Sequence, residues 1–316
     1  MHTQRKRLLA KIGYLYYVEN KSQNEIANEL EMNRTTVSRM IKQVQNEGMV
    51  EIKIKDIPEA IFELESLLQE KFNLKHLIVV ENQPCKTDSQ KDKNLLSEAA
   101  YYLSRIIKSK NTVGVTSGKT LANLTELIKS NKSTEATFVP LIGSPEKTSF
   151  DTHVNTITNN LAKAFKGHPV FMNASLIQES KLLKEQIQAS KNFDELNFYW
   201  QHLDIALVGI GNPLVEEASQ WREILTESEI DALKEANIVG DCCGNFYDIS
   251  GNIIKNDLYD RTIGIGMEEM LQVPNSIGVA RSIEKVPSII GALRSKAINT
   301  LITDDETAHA ILKNYH

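Results

Sequence analysis

Apolar positions near the start of the chain repeat at helical spacing. Leu8, Ile12 and Leu15 recur in this way and predict a first helix over residues 5–18. Ser22-Gln23-Asn24-Glu25 is a capping box, in which the serine hydroxyl accepts from the Glu25 N–H and the carboxylate reaches back. The helix it opens turns Ile26, Ala27 and Leu30 inward. Asn33 reads as a second N-cap, and the helix that follows runs to about Glu47, where Gly48 supplies a left-handed stop. Two short helices separated by Glu31-Met32-Asn33 predict a helix-turn-helix, with Glu31 where glycine is usual. Small Ala27 permits close helix approach, and Ile26, Leu30, Met32, Val37 and Met40 fall at the core spacing. Over residues 49–55 the period changes to two. Val50, Ile52 and Ile54 lie on one face and Glu51, Lys53 and Lys55 on the other, which predicts a strand or hairpin wing.

Ile57-Pro58 breaks that pattern, and residues 59–72 return to helical spacing with Ile61, Leu64, Leu67, Leu68 and Phe72 apolar. This stripe either packs on the rest of the chain or pairs with its twin in a dimer. From Leu77 onward, β-rich runs alternate with helical stretches. The runs are 77–80, 112–115, 137–142, 170–172, 205–209, 277–280 and 300–302. The intervening helices include 95–108, 120–129 and 155–165. Such alternation, with continuous apolar strands, predicts an α/β fold with a doubly wound, mainly parallel sheet. Ligands in such sheets bind beyond the carboxyl ends of the strands. The predicted organisation is a winged helix-turn-helix over 1–56, a connecting helix over 57–73 and an α/β effector domain over 74–316.

Charge sharpens the contrast between the two ends. Residues 1–55 carry ten Lys/Arg against six Asp/Glu, a net of +4, so the remainder holds −9 of a total of −5. A basic head on an acidic body is expected where only the head meets a polyanion. No apolar run reaches the roughly 20 residues that span a bilayer, and no signal-peptide core follows the basic N-terminus. The expected location is the cytoplasm, with no membrane partner. Cys85, Cys242 and Cys243 form neither a disulfide framework nor a CxxC spacing, and the seven histidines form no HExxH pattern. No metal or other cofactor is expected. The vicinal Cys242-Cys243 pair reads as redox-active or, more commonly, as a buried strand pair.

Four segments carry candidate chemistry. The helix after Asn33 exposes Arg34, Thr35, Thr36, Ser38, Arg39 and Lys42. Forked guanidiniums and short hydroxyls at a helix start suit double-stranded DNA, since arginine grips guanine bidentately and the helix N-terminus holds phosphate. A polar face on an ordinary three-helix bundle is the alternative. The second segment runs from a strand through Thr116, Ser117 and Gly118 into a helix at Lys119 and Thr120. Its hydroxyls, helix-start N–H groups and lysine can surround an anion, although it lacks the spacing of a Walker A loop. A plain strand-to-helix turn is the other reading. The third is the Gly209-Ile210-Gly211 turn after the 205–209 strand. The fourth comprises Arg222, Asp241 and Lys285, one acid and two cations that suit a hydroxylated anion if they converge.

At these residues the sequence resembles the SorC/DeoR-type sugar-responsive regulators. The motifs, in order, are "SQNEIANELEMNRTTVSRMIKQVQNEGMVEI", "VGVTSGKTL", "DIALVGIG", "IVGDCCGNFYDISGNI", "RTIGIGMEEM" and "ALRSKAINTLITDDETAHAIL". The resemblance spans essentially the whole chain. It implies a winged helix-turn-helix joined to a sensor domain similar to the sugar-phosphate isomerase and deaminase superfamily. It also implies action as a homodimer or homotetramer on operator DNA, under control of a small sugar or sugar phosphate. Carried over by motif, Thr116, Ser117, Gly118, Lys119 and Thr120 form a phosphate loop, Asp241 bonds ligand hydroxyls and Lys285 meets an anionic or hydroxyl group. Arg222 lies in a looser motif.

Two positions depart from the family pattern. Ser117 stands where a tryptophan is common, removing a large ring from the pocket rim. Arg281-Ser282 replaces a common Gly-Gly pair, and the added arginine either favours a second phosphate or faces solvent. The main rival function is a sugar-phosphate isomerase or deaminase, which needs a carboxylate base near the sugar C2. No such acidic signature follows a strand, and an enzyme leaves the basic head unexplained. A ligand-free nucleic-acid-binding protein is a third reading, and it leaves the loop, Asp241 and Lys285 idle.

Overall fold

A computed structural model describes residues 2–52, 58–83, 86–129, 133–145, 149–212, 214 and 220–314 of the chain. It falls into two compact units, Met1–Pro58 and Glu59–His316.

In the first unit, helices His2–Tyr17, Gln23–Glu29 and Arg34–Asn46 close on a core of Leu9, Ile12, Leu15, Ile26, Ala27, Val37, Met40, Ile41 and Val44. Leu9 is buried where the pattern pointed to Leu8, which packs only at the margin. Both lie within a turn of Ile12, so the period alone does not choose between them. The capping box forms, with Ser22 N donating to Glu25 Oε2 at 2.8 Å and Glu25 N to Ser22 Oγ at 3.3 Å. Asn33 occupies the N-cap position of the third helix but makes no side-chain cap bond. Glu31 takes the left-handed conformation of the turn at φ 51°, the glycine-like geometry its position demands. Residues 49–52 form no strand, and the rest of the expected wing lies outside the described residues.

The second unit is built on a seven-stranded, all-parallel sheet. Its strands are β1 (His76–Val80), β2 (Thr112–Val115), β3 (Thr137–Pro140), β4 (His168–Pro169), β5 (Ile205–Val208), β8 (Asn275–Val279) and β9 (Thr300–Asp304), in the order β1-β9-β8-β5-β2-β3-β4. β6 (Ile238–Cys242) and β7 (Asn245–Asp248) form a separate antiparallel ribbon. Strand side chains alternate between two cores. Ile205 and Leu207 enter one, with Leu103, Leu124 and Leu161 from helices Asp88–Ile106, Lys119–Leu127 and Val154–Phe165. Ala206 and Val208 enter the other, with Trp200, Ile290 and Ile311 from helices Lys191–Gln201, Val286–Arg294 and Asp305–Lys313. Burial on both faces is why these strands read as unbroken apolar runs.

Three expectations change, and one open alternative is decided. Residues 170–172 form no strand; the short β4 precedes them. Asn155 clasps Met172 through both backbone groups, Nδ2 to O at 2.9 Å and Met172 N to Oδ1 at 3.1 Å, and so removes them from sheet pairing. The run to residue 142 ends at Pro140, and Ile142 bridges Gly264 in antiparallel fashion instead. The helix Glu59–Phe72 lays Ile61, Leu64 and Leu68 into the core of its own unit, so the stripe is covered within the chain and only Leu67 stays exposed. Cys242 ends β6 while Cys243 turns at φ 55°, so the two are not a strand pair. Their sulfurs lie 4.0 Å apart, both buried and free. Hydrogen bonding to Cys242 and burial push the Cys243 thiol up, the setting of an unreactive thiol. Among the described residues no helix is long and apolar enough to cross a membrane.

Candidate effector and DNA-binding sites

Strand order fixes where the sheet opens. From β2 it grows outward through β3 and β4, and from β5 in the opposite direction through β8 and β9. β2 and β5 are parallel neighbours, so the segments leaving their carboxyl ends diverge and leave a crevice between them. The 209–211 turn lies there, and three candidate residues meet on it. Gly209 N donates to Thr116 Oγ1 at 3.1 Å. Lys285 Nζ donates to the Ile210 carbonyl at 3.3 Å. Gly211 and Asp241 exchange two backbone hydrogen bonds, both 3.1 Å. A side chain at residue 211 is impossible without rearrangement, because a Cβ would stand 2.2 Å from Asp241 Oδ1.

Asp241 comes to this place on the β6–β7 ribbon, outside the main sheet. Its carboxylate is buried and oriented by two donors, Trp221 Nε1 to Oδ1 at 2.9 Å and Gly244 N to Oδ2 at 3.4 Å. Trp221 is the residue that sequence reasoning missed. A buried indole N–H requires an acceptor, but nothing in the linear pattern indicates which one. Its neighbour Arg222 lies on the short helix Gln220–Ile224, is exposed and donates to the Leu214 carbonyl.

The strand-to-helix loop is graded in exposure. Thr116 and Ser117 are buried, Gly118 and Thr120 half-buried, and Lys119 exposed. Gly118 has φ 129°, a region suited only to glycine, and no atom approaches within 4 Å of where its Cβ would be. Its own N–H is already used, donating to the Thr152 carbonyl at 3.3 Å. Helix geometry leaves the first-turn N–H groups of Lys119, Thr120 and Leu121 without intrahelical acceptors.

Arg281 takes neither of the roles expected of it. Its guanidinium is largely buried and bonds Asp304 at 2.9 Å, Asp92 at 2.6 Å and Asp88 at 2.8 Å. Burial alone would raise the Asp304 pKa, but hydrogen bonds from Thr307, Asn82 and Arg281 hold it below the usual carboxylate range. The arginine therefore ties the segment before Lys285 to β9 and the helix Asp88–Ile106. Ser282, at a position where only glycine adopts the backbone without strain, is held at φ 110° and ψ 144°.

In the first unit, Val37, Met40, Ile41 and Val44 take the inner face of the helix Arg34–Asn46. The opposite face presents Arg34, Thr35, Arg39 and Lys42 to solvent, with Thr36 and Ser38 half-buried at its edge. None of the three cations makes an ion pair among the described residues, so their charge is available to a polyanion.

A parallel sheet with an oriented acid and a lysine at its switch point, preceded by a basic helix-turn-helix, defines a ligand-sensing DNA-binding protein. Residues 57–313 match the family profile described as "Putative sugar-binding domain". The sorbitol operon regulator of Klebsiella pneumoniae is 34% identical over 97% of this chain and 98% of its own length. The deoxyribonucleoside regulator of Bacillus subtilis strain 168 is 29% identical over 99% of this chain and 100% of its own. The crystal structure of the full-length sorbitol operon regulator SorC from Klebsiella pneumoniae matches with a TM-score of 0.77 at 32% identity, covering 97% of this chain and 98% of that one. The chain belongs to this SorC/DeoR-type family of transcriptional regulators with a sugar-binding domain.

Proposed function

We propose that the protein binds operator DNA through the helix Arg34–Asn46 and is controlled by a small sugar phosphate or phosphorylated polyol held at the β2/β5 switch point. The observation that carries this reading is the meeting of Thr116, Asp241 and Lys285 on the 209–211 turn. Ser117, Gly118, Lys119 and Thr120 supply a phosphate site, using an open glycine backbone, helix-start N–H groups and an exposed ammonium. Asp241, its carboxylate fixed by Trp221, accepts from ligand hydroxyls, while Lys285 donates to an anionic or hydroxyl oxygen. Arg222 stays a peripheral candidate, exposed one residue from Trp221.

Control follows if the effector binds two DNA-affinity states unequally, because equal affinity shifts nothing. The 209–211 turn is the element that touches all three groups, so it is where occupancy is felt. We assign the protein no catalytic role: Asp241 orients a ligand in this reading and is not a base. A homodimer or homotetramer in the cytoplasm, reading a two-fold operator with half-sites about 10–10.5 base pairs apart or multiples of that, completes the proposal.

The test is a thermal-shift screen of sugar phosphates, followed by operator binding with and without each hit. Asp241→Ala should keep operator binding but lose about 1.5–3 kcal/mol of effector affinity, the worth of hydrogen bonds to a charged group. Effector affinity unchanged in a folded Asp241→Ala protein would move the ligand elsewhere. Turnover of a screened sugar phosphate by the intact protein would favour the enzyme reading.

A further inference from the structure

A second polar pocket lies away from the residues assigned to the effector. It is bounded by the helix Lys181–Gln188, the β6–β7 turn and the segment 259–266. It opens to solvent and has about 40 Å³ of volume accessible to water, room for a small group only, since one water needs about 10–15 Å³ by that measure. None of the residues assigned above to the phosphate loop, the acid or the lysine lines it.

Its chemistry is directional. Asn245 is only 3% exposed. Its Nδ2 faces three carbonyls, those of Cys242 at 3.2 Å, Cys243 at 3.3 Å and Ile265 at 3.1 Å. Three acceptors around one atom require it to be nitrogen, so the amide cannot be flipped. Its Oδ1 accepts from no donor among the described residues and is open to one in the pocket.

Lys184 is half-buried beside it. The ammonium donates to the Tyr259 carbonyl at 3.0 Å and lies 5.3 Å from the centre of the Tyr259 ring, which leaves two N–H groups to spare. The nearby Asp260 carboxylate pairs with Lys181 at 3.2 Å, and Lys184 has no ion pair among the described residues. Burial lowers the Lys184 pKa, with Asp260 and Glu185 opposing and Lys181 adding to the effect. Gly264 and Gly266 also line the pocket, and no described residue accepts from their N–H groups.

We propose that this pocket binds a small hydroxylated oxyanion, its anionic oxygen on Lys184 and its hydroxyl donating to Asn245 Oδ1. A hydroxy-carboxylate and a phosphate share this chemistry. The anion supplies the countercharge that Lys184 lacks, and the hydroxyl donates to the open amide oxygen. The pocket also touches the turn that orients Asp241, because Gly244, which donates to Asp241 Oδ2, is part of its wall. Occupancy would therefore be felt at the effector crevice without overlapping it.

The test is calorimetric titration of the full-length protein with glycerate and, separately, inorganic phosphate, with glycerol as the uncharged control. Saturable binding of glycerate or phosphate is expected, and which of them binds identifies the anionic group. Glycerol should not bind. In Lys184→Met the affinity should fall about tenfold or more, as expected for a lost charge-assisted hydrogen bond. Lys184→Gln, which keeps a donor for the Tyr259 carbonyl, gives the same readout if the methionine variant does not fold. Lys285→Ala, which removes a lysine of the effector crevice, should leave this binding unchanged. No saturable binding at millimolar concentration, binding that survives in the Lys184 variants, or binding lost in Lys285→Ala would each overturn the proposal.

Discussion

Replacing Thr116 by valine isolates the turn on which the effector site depends. The two side chains have nearly the same shape, and Thr116 is buried, so packing changes little. What disappears is the acceptor for the Gly209 N–H, now bonded at 3.1 Å. Leaving a buried donor unsatisfied costs about 1–3 kcal/mol. Gly209 is only half-buried, and water reaching its N–H brings the expected cost toward the lower end, about 1 kcal/mol. For a unit of this size that corresponds to a melting shift of about 2–4 °C. The functional consequence should exceed the stability loss, because the same turn holds the Lys285 ammonium and the Asp241 backbone. Chemical denaturation of Thr116→Val measures the first effect, and calorimetric titration with the screened effector measures the second. Thr116→Ser keeps the hydroxyl oxygen and should restore most of both. If Thr116→Val matched wild type in stability and effector affinity, the turn would not be the hub inferred above.

The other predictions concern separate parts of the chain. Arg39→Ala should cost on the order of 1–3 kcal/mol of operator affinity and relax specificity at one base position. Lys42→Ala should instead weaken all DNA sequences and flatten the salt dependence by about one unit of slope. Equilibrium DNA binding over a salt series separates the two, and unchanged salt slopes in both would remove this helix from the interface. Ser282→Gly relieves a conformation costing about 1–3 kcal/mol and adds about 0.4–1 kcal/mol of unfolded-state entropy. A net gain of roughly 0.5–2 kcal/mol should appear as a higher denaturation midpoint, whereas a loss would show that the serine side chain stabilises the segment. Asp304, with its pKa lowered in the fold, contributes stability that is fully present above the ordinary carboxylate pKa and is lost as pH falls through the lower folded value. Asp304→Asn should therefore be less stable at neutral pH, with the deficit shrinking under acid. A deficit independent of pH would rule out the charge as its origin.

Local chemistry made the three helices of the first unit legible from sequence. The Ser22 capping box, the left-handed positions at Glu31 and Gly48, and the apolar spacing through Val44 are settled within a few residues of each other. The same holds for the strand–helix alternation of the second unit and for the glycine that opens the loop at residue 118. Where contacts span large sequence separations, the local pattern left alternatives open and the fold chose between them. The stripe Ile61, Leu64 and Leu68 suited a partner or a core equally well, and it found the core of its own unit. Arg281 read as a free cation until three aspartates, two of them near 190 residues earlier in the chain, enclosed it.

The site shows the same division. Sequence named Thr116, Asp241 and Lys285 by residue type and by motif. Only the tertiary structure brought them to one turn, added Trp221 as the donor that fixes Asp241, and set the acid on a ribbon outside the main sheet. The physical reason is range. Caps, turns and periodicity are decided by neighbours along the chain, whereas a buried carboxylate takes whichever donor the packing of distant elements presents to it.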